Sequence, residues 1–272
     1  MPGEITTTSL RFARRLLQRK FRGTAGEFLV EGAQAVREAV RSGVSCRVLA
    51  TDDAARAFPE LVAAGYERLV DSQVRDLSDT VTPQGIFAIC PVPTWALTDV
   101  FTTSSRLVVI CAQVRDPGNL GTVIRCADAF GADGVVTTTG SVDLTNPKAV
   151  RASVGSIFHL PIVSAVELDQ AVDAAKQRGF LVVAADGAGE DLNQAAASGG
   201  LDGSVAWILG NEAWGLPERD LGYADSVVRI PMWGRAESLN LSTAAAVCLY
   251  ATASRQRGVT DQPNRENVGP IT

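Results

Sequence analysis

Histidine is nearly absent from this chain. There is one, His159, in 272 residues. Cysteine is scarce and scattered: Cys46, Cys90, Cys111, Cys126 and Cys248 lie far apart, with no C-x-x-C spacing. Together these facts exclude a standard zinc site and argue against a disulfide framework. Buried, reduced thiols are expected instead. Cys–His catalysis has only His159 to draw on, and its surroundings, "SIFHLP", read as those of a core histidine. No uninterrupted apolar run approaches the roughly 20 residues that span a bilayer. The N-terminus lacks the apolar core of a signal peptide. A soluble, cytoplasmic chain with no membrane partner and no metal is therefore expected. A net charge of −5 argues against indiscriminate nucleic-acid binding over the whole surface.

What is present is locally strongly patterned. The stretch "RFARRLLQRKFR" carries Arg11, Arg14, Arg15, Arg19, Lys20 and Arg22 with no acid among them. Arg11, Arg15, Arg19 and Arg22 recur at helical spacing, opposite an apolar stripe of Leu10, Ala13, Leu17 and Phe21. A basic amphipathic helix of this kind neutralises phosphates, lies on a membrane, or is a solvated face. Residues 1–92 read as a small α/β domain. In it "FLVEGAQAVREAVRSG" is helical and stopped by Gly43, "CRVLAT" and "GIFAICPV" are strands, and Pro59 interrupts a helix. Residues 93–105, rich in proline, threonine and serine, are the expected linker.

From residue 106 to about 258 the pattern alternates strictly, and the polar stretch 259–272 reads as a flexible tail. Strands are expected at Leu107–Ala112, Gly134–Thr138, Phe180–Asp186, Val205–Gly210 and Val227–Pro231. Helices are expected at Leu120–Phe130, Lys148–Phe158, Glu167–Arg178, Leu192–Ala197 and about Leu239–Arg257. Alternation with continuous apolar strands implies a parallel sheet covered on both faces. Such a sheet binds ligands at the carboxyl ends of its strands.

Three polar stretches fall at those ends: "NLGTVIR", "ILGNEAWGLP" and "IPMWGRAESLNLS". They put Asn119, Arg125, Glu212, Ser238 and Asn240 on one edge, with Ser238 as the expected cap of the closing helix. Gly121 either lets the chain approach a substrate or eases helix packing. "DGAGED" at Asp186–Asp191 resembles half of a dinucleotide loop but lacks the third glycine, so a solvent turn is the better reading.

The three stretches resemble the motifs of the SpoU (TrmH-like) branch of the SPOUT RNA methyltransferases, over residues 107–257. The likeness rests on N-x-G-x-x-x-R at Asn119–Arg125, on G-x-E-x-x-G-L at Gly210–Leu216, and on I-P-M…S-L-N-L-S at Ile230–Ser242. It implies a parallel-sheet domain with a deep trefoil knot, preceded by a small ribosomal-protein-like RNA-binding domain, and a homodimer. It implies transfer of a methyl group from S-adenosyl-L-methionine to a ribose 2′-hydroxyl of RNA. Ribosomal RNA of the 23S type is favoured, with antibiotic resistance as one setting. tRNA methylation, or a catalytically silent RNA-binding assembly factor, is the alternative. On the same resemblance Asn119, Arg125, Glu212, Ser238 and Asn240 are catalytic. Arg125 would stabilise the developing alkoxide, the asparagines would orient ribose and arginine, and Glu212 would pair with Arg125 or hold another polar partner. Leu209, Gly210, Ile230, Met232, Ser238 and Leu239 would meet the cofactor. Arg11, Arg15, Arg19, Arg22, Arg151 and Arg235 would face RNA.

Overall fold

The computed structural model describes residues 2–257; the expected tail at 259–272 lies outside the described residues. The first unit runs α1 (Thr7–Arg15), α2 (Arg19–Ala25), β1 (Glu27–Glu31), α3 (Ala33–Arg41), β2 (Arg47–Ala50), α4 (Asp52–Ala57), β3 (Glu67–Arg68), α5 (Asp71–Leu77) and β4 (Ile86–Pro91). Its strands form one sheet in the order β1-β4-β2-β3. Pro59 does end a helix here, since α4 stops at Ala57 and Pro59–Leu61 is a 3-10 turn.

Two local expectations are corrected. The basic stretch is two helices rather than one, broken after Arg15. Ala13 and Leu16 are buried, while Leu17, assigned to the apolar stripe, is exposed. The segment read as one long helix from Phe28 opens as β1, whose Phe28, Leu29 and Val30 pair with β4. Gly32, at φ 95°, then turns the chain into α3. A three-residue apolar run fits strand or helix equally well, and the sheet decides.

The cysteines also divide. Arg47 faces Ile89 in the antiparallel β2–β4 ladder. Extending that register by one residue brings Cys46 opposite Cys90, where the two form a disulfide with Cα atoms 4.6 Å apart. The expectation of five free thiols therefore fails for this pair, which lies 44 residues apart in sequence. Cys111 and Cys248 are free and buried. Burial pushes both thiols up to about 12, with Glu212 adding to the effect at Cys111.

The second unit begins inside the expected linker. There α6 (Leu97–Val100) buries Val100, and Phe101 after it, in the next sheet's core. It continues β5 (Leu107–Cys111), α7 (Pro117–Ala129), β6 (Gly134–Thr138), α8 (Pro147–Ser153), β7 (Ile162–Val166), α9 (Leu168–Gln177), β8 (Leu181–Asp191), α10 (Leu192–Ala197), β9 (Val205–Leu209), α11 (Glu218–Leu221), β10 (Ser226–Arg229) and α12 (Leu241–Arg257). The six strands are parallel, in the order β10-β8-β9-β5-β6-β7. Helices α7, α10 and α12 cover one face, and α6, α9 and α11 the other. After the edge strand β10 the chain returns to the middle of the sheet, where α12 packs on α7 and β9. That return is the path the implied knot requires.

"DGAGED" is neither a nucleotide loop nor a free turn. Asp186–Gly189 lie in an excursion within β8, after the residues that pair with Ser226–Val227, and Glu190–Asp191 rejoin the ladder opposite Val228–Arg229. Gly189 is needed there because a Cβ would lie 2.4 Å from the Val227 carbonyl. Gly121, whose role the sequence left open, is settled by packing. A Cβ there would meet the Ala149 carbonyl oxygen at 2.3 Å and the Ala152 Cβ at 2.7 Å, where α7 crosses α8. Gly121→Ala is expected to destabilise the fold by about 1–3 kcal/mol, the usual cost of overpacking. A urea titration would register this as a lower midpoint with unchanged slope.

The two units share a polar seam around an apolar contact, the Phe28 ring stacked on that of Phe158 at 6.0 Å. Arg22, expected to face RNA, is instead 3% exposed. It pairs with Asp143, donates Nε–H to Thr145 Oγ1 at 3.0 Å, and donates Nη1–H to the carbonyls of Leu16 and Leu17. Arg151, the expected phosphate ligand, is likewise engaged, by Glu31 at 2.8 Å and Asp79 at 2.6 Å. Both guanidiniums join the units rather than await a substrate. His159 lies on the seam too, its ring bonded to Asp128 at 2.7 Å and Glu38 at 3.3 Å. Partial burial pushes its pKa down, but the two carboxylates outweigh that and hold it above the usual value.

Candidate active site

β5 and β9 are sheet neighbours whose following loops diverge, which makes their carboxyl edge the switch point of the sheet. After β5, Gln113 adopts φ 53° and the chain reaches Asp116. Asp116 caps α7 by accepting from Asn119 N at 2.9 Å, and Pro117 opens the helix. The helix thus starts three residues before Leu120, where the sequence placed it, and Asn119 lies in its first turn. Lys148 bonds Asp116 at 2.9 Å and, with the Asn119 amide, holds its carboxyl below the usual range.

After β9 the chain folds back on itself. Asn211 and Gly215 exchange both main-chain hydrogen bonds at 2.9 Å, and Gly215 takes φ 67°. Gly210 is obligatory because a Cβ would lie 2.5 Å from the Gly215 carbonyl carbon. Asn211, which the sequence reading passed over, is buried. It locks the turn by donating to the Gln113 carbonyl at 2.6 Å and accepting from Ala213 N at 2.8 Å.

This turn presents Glu212 to the start of α7. Its carboxylate accepts from the main-chain N–H groups of Arg115 and Asp116, each at 3.2 Å, and from Asn119 Nδ2 at 3.1 Å. Asn119 Oδ1 in turn accepts from Asn240 Nδ2 at 3.0 Å. Asn240 Oδ1 accepts from Ser242 N at 2.9 Å and Ser242 Oγ at 2.7 Å. Three loops that are far apart in sequence are thereby joined by one continuous chain, Glu212–Asn119–Asn240–Ser242. Asn240, not Ser238, caps α12. The N-termini of α7 and α12 converge on the two asparagines, and both dipoles favour negative charge there.

The remaining candidates fall on or near this edge. Leu209 is buried, with its carbonyl taken by Ala112 N at 2.8 Å. Ile230 and Leu239 are half-buried, while Met232, Arg235 and Ser238 are exposed. Ser238 stands apart from the hydrogen-bonded chain. Among the described residues, the main-chain groups of residues 231–239 bond no other main-chain group. Those free donors and acceptors, beside the half-buried Ile230 and Leu239, suit a ligand with a nucleobase and a ribose, so the residues present fit S-adenosylmethionine.

Arg125 is exposed, and no described residue pairs with its guanidinium. It lies about 9 Å further along α7 than Asn119 and a third of a turn around the axis. Glu212 therefore holds the α7 N-terminus and Asn119 rather than Arg125. Arg11, Arg15 and Arg19 are exposed on α1 and α2. No group of three or more potential metal ligands occurs among the described residues, and no helix there is long and apolar enough to cross a membrane.

Comparison with known proteins places these loops in context. The model of the SpoU rRNA methylase family matches residues 106–250, and that of an MRM3-like substrate binding domain matches residues 8–88. The Bacillus subtilis 23S rRNA (guanosine(2553)-2′-O)-methyltransferase RlmP is 35% identical over 87% of this chain and 92% of its own. The 23S rRNA (uridine(2479)-2′-O)-methyltransferase of Streptomyces viridochromogenes is 32% identical over 93% of this chain and 92% of its own. The crystal structure of the SpoU methyltransferase AviRb from that organism, in complex with the cofactor AdoMet, superimposes with a TM-score of 0.80 at 29% identity. That match covers 93% of this chain and 98% of AviRb.

Proposed function

Since the chain belongs to the SpoU rRNA methylase family, we propose that its three joined loops carry out methyl transfer to ribosomal RNA. It is an S-adenosylmethionine-dependent RNA 2′-O-ribose methyltransferase, with 23S ribosomal RNA as the substrate we assign. The observation that carries the site assignment is the Glu212–Asn119–Asn240–Ser242 chain, which gives each side chain one orientation.

A ribose hydroxyl is a weak nucleophile and must lose its proton as it attacks. Leu209, Gly210, Ile230, Met232, Ser238 and Leu239 would hold S-adenosylmethionine, which would supply its sulfonium-linked methyl as the electrophile. Asn119 and Asn240 each keep one unused amide N–H for the ribose oxygens. The Arg125 guanidinium stabilises the alkoxide as it forms and holds the adjacent phosphate, and the proton passes to water. Its very high intrinsic pKa makes electrostatic stabilisation a better role than general base. Its exposure away from the hydrogen-bonded chain supports a homodimer in which each arginine completes the other copy's site. Arg11, Arg15 and Arg19 engage RNA phosphates from the first unit, and Arg235 does so near the reacting nucleotide. Cytoplasmic residence is part of the same proposal, as the compartment in which a bacterial ribosomal RNA would be met.

Transfer of labelled methyl from S-adenosylmethionine to separated ribosomal RNA and tRNA tests the reading. Label is expected on 23S RNA. Label on tRNA alone would overturn the substrate. Cofactor binding without transfer to any RNA, ribosomal precursors included, would favour a silent assembly factor.

A further inference from the structure

The chemistry above leaves unused the aromatic rings that the same loops carry. The chain has four tryptophans. Trp207 behaves as a core residue, fully buried on β9 and donating to Thr252 Oγ1 at 2.9 Å. Trp214 and Trp233 do the opposite, 50% and 87% exposed in the loops after β9 and β10. A solvent-facing indole forgoes one of the largest apolar burials open to any side chain. Two of them stand in loops that also carry members of the hydrogen-bonded chain, Trp214 in that of Glu212 and Trp233 in that of Asn240. Trp214 stands two residues past Glu212, and the Arg115 guanidinium lies over its ring at 5.1 Å. Trp233 belongs to the segment whose main-chain groups are free, and the exposed Arg235 follows two residues later.

A flat ring with a guanidinium over one face and the other face exposed, and a second exposed ring with an arginine two residues on, match the chemistry of an unpaired nucleobase, which stacks on aromatic faces and brings a phosphate with it. A ribose hydroxyl that reaches Asn119 and Asn240 carries its own base and its neighbour's into this neighbourhood. We propose that Trp214, backed by Arg115, is a stacking platform for an unpaired base at or beside the methylated nucleotide, and that Trp233 closes over it from the opposite loop. The proposal rests on the methyltransferase reading and narrows it: the target lies in a loop, bulge or extruded nucleotide, not in a continuous duplex.

The test uses the full chain and two probes, single-stranded poly(A) and the poly(A)·poly(U) duplex, followed by tryptophan fluorescence at fixed ionic strength. Poly(A) is expected to quench the wild-type emission and the duplex to leave it unchanged. Trp214→Ala should lose most of the quenching and bind poly(A) about tenfold more weakly, as removal of one base-stacking ring does. Trp214→Phe should retain most of both. Calorimetric affinity for S-adenosylmethionine should be unchanged in each variant. Undiminished poly(A) binding by Trp214→Ala would overturn the proposal. So would a loss confined to the cofactor, which would place the ring on adenine, or a shift to monomer in sedimentation, which would make it a subunit contact. Methyl transfer by the wild type reads the parent function separately, so failure of one is distinguishable from failure of the other.

Discussion

Replacing Arg125 with alanine is expected to leave the fold and S-adenosylmethionine affinity intact while lowering methyl transfer about a hundred- to a thousandfold. That is the range for losing one preorganised group that stabilises developing charge. Arg125 is exposed and no described residue bonds its guanidinium, so its truncation leaves the packing unchanged. Arg125→Lys should recover only part of the rate, since an ammonium keeps the charge but not the planar fork. Mixing Arg125→Ala with Asn240→Ala then locates the arginine. If it serves the other copy's site, heterodimers of the two inactive variants rebuild one intact site, and activity returns in the mixture. If it serves its own, the mixture stays inactive and the shared-site proposal fails.

The second large effect is on stability. Arg22→Ala removes a guanidinium that satisfies Asp143, Thr145 and two main-chain carbonyls in a buried place. Truncating one partner of a buried pair leaves an uncompensated charge, so a loss of about 3–5 kcal/mol is expected in denaturant unfolding. Exposed Arg19→Ala should change stability by less than about 0.5 kcal/mol. Acid adds a directional check. Burial raises the Asp143 pKa, but its bonds to Arg22 and Thr145 outweigh that and hold it below the usual value. A carboxyl depressed on folding contributes stability that is present above its unfolded pKa and lost as pH falls through the folded one. Without Arg22 the depression is lost and burial is opposed by Thr145 alone, so this acid-dependent loss should shrink or reverse. Equal acid sensitivity in wild type and variant would contradict the pairing.

Much of the catalytic unit was legible because its central strands, β5, β6 and β9, are buried on both faces and read as unbroken apolar runs. The edge strand β7 was missed, since its Ser164 and Ala165 face solvent and the apolar run is interrupted. The start of α7 was readable from the Asp-Pro pair and was placed too late. Glu212, Asn119 and Asn240 could be brought to one edge by pattern alone, but not bonded in sequence, because that order depends on how two loops fold back. Arg22 and Arg151 were misread for a plainer reason. A guanidinium answers equally to phosphate and carboxylate, and their carboxylate partners Asp143 and Glu31 lie 121 and 120 residues away.

The polar seam has a consequence for target choice. Arg22, Arg151 and His159 tie the two units at separate points around the Phe28–Phe158 stack. The arginine face of α1 and α2 is therefore held at a constant distance from the reacting edge, as the jaws of a caliper are. With those arginines on RNA, as proposed above, a helix or junction gripped at one jaw would fix which nucleotide arrives at the other. Selectivity would then reside in the span between two RNA features, and loosening the seam would blur which residue is methylated before it abolished methylation.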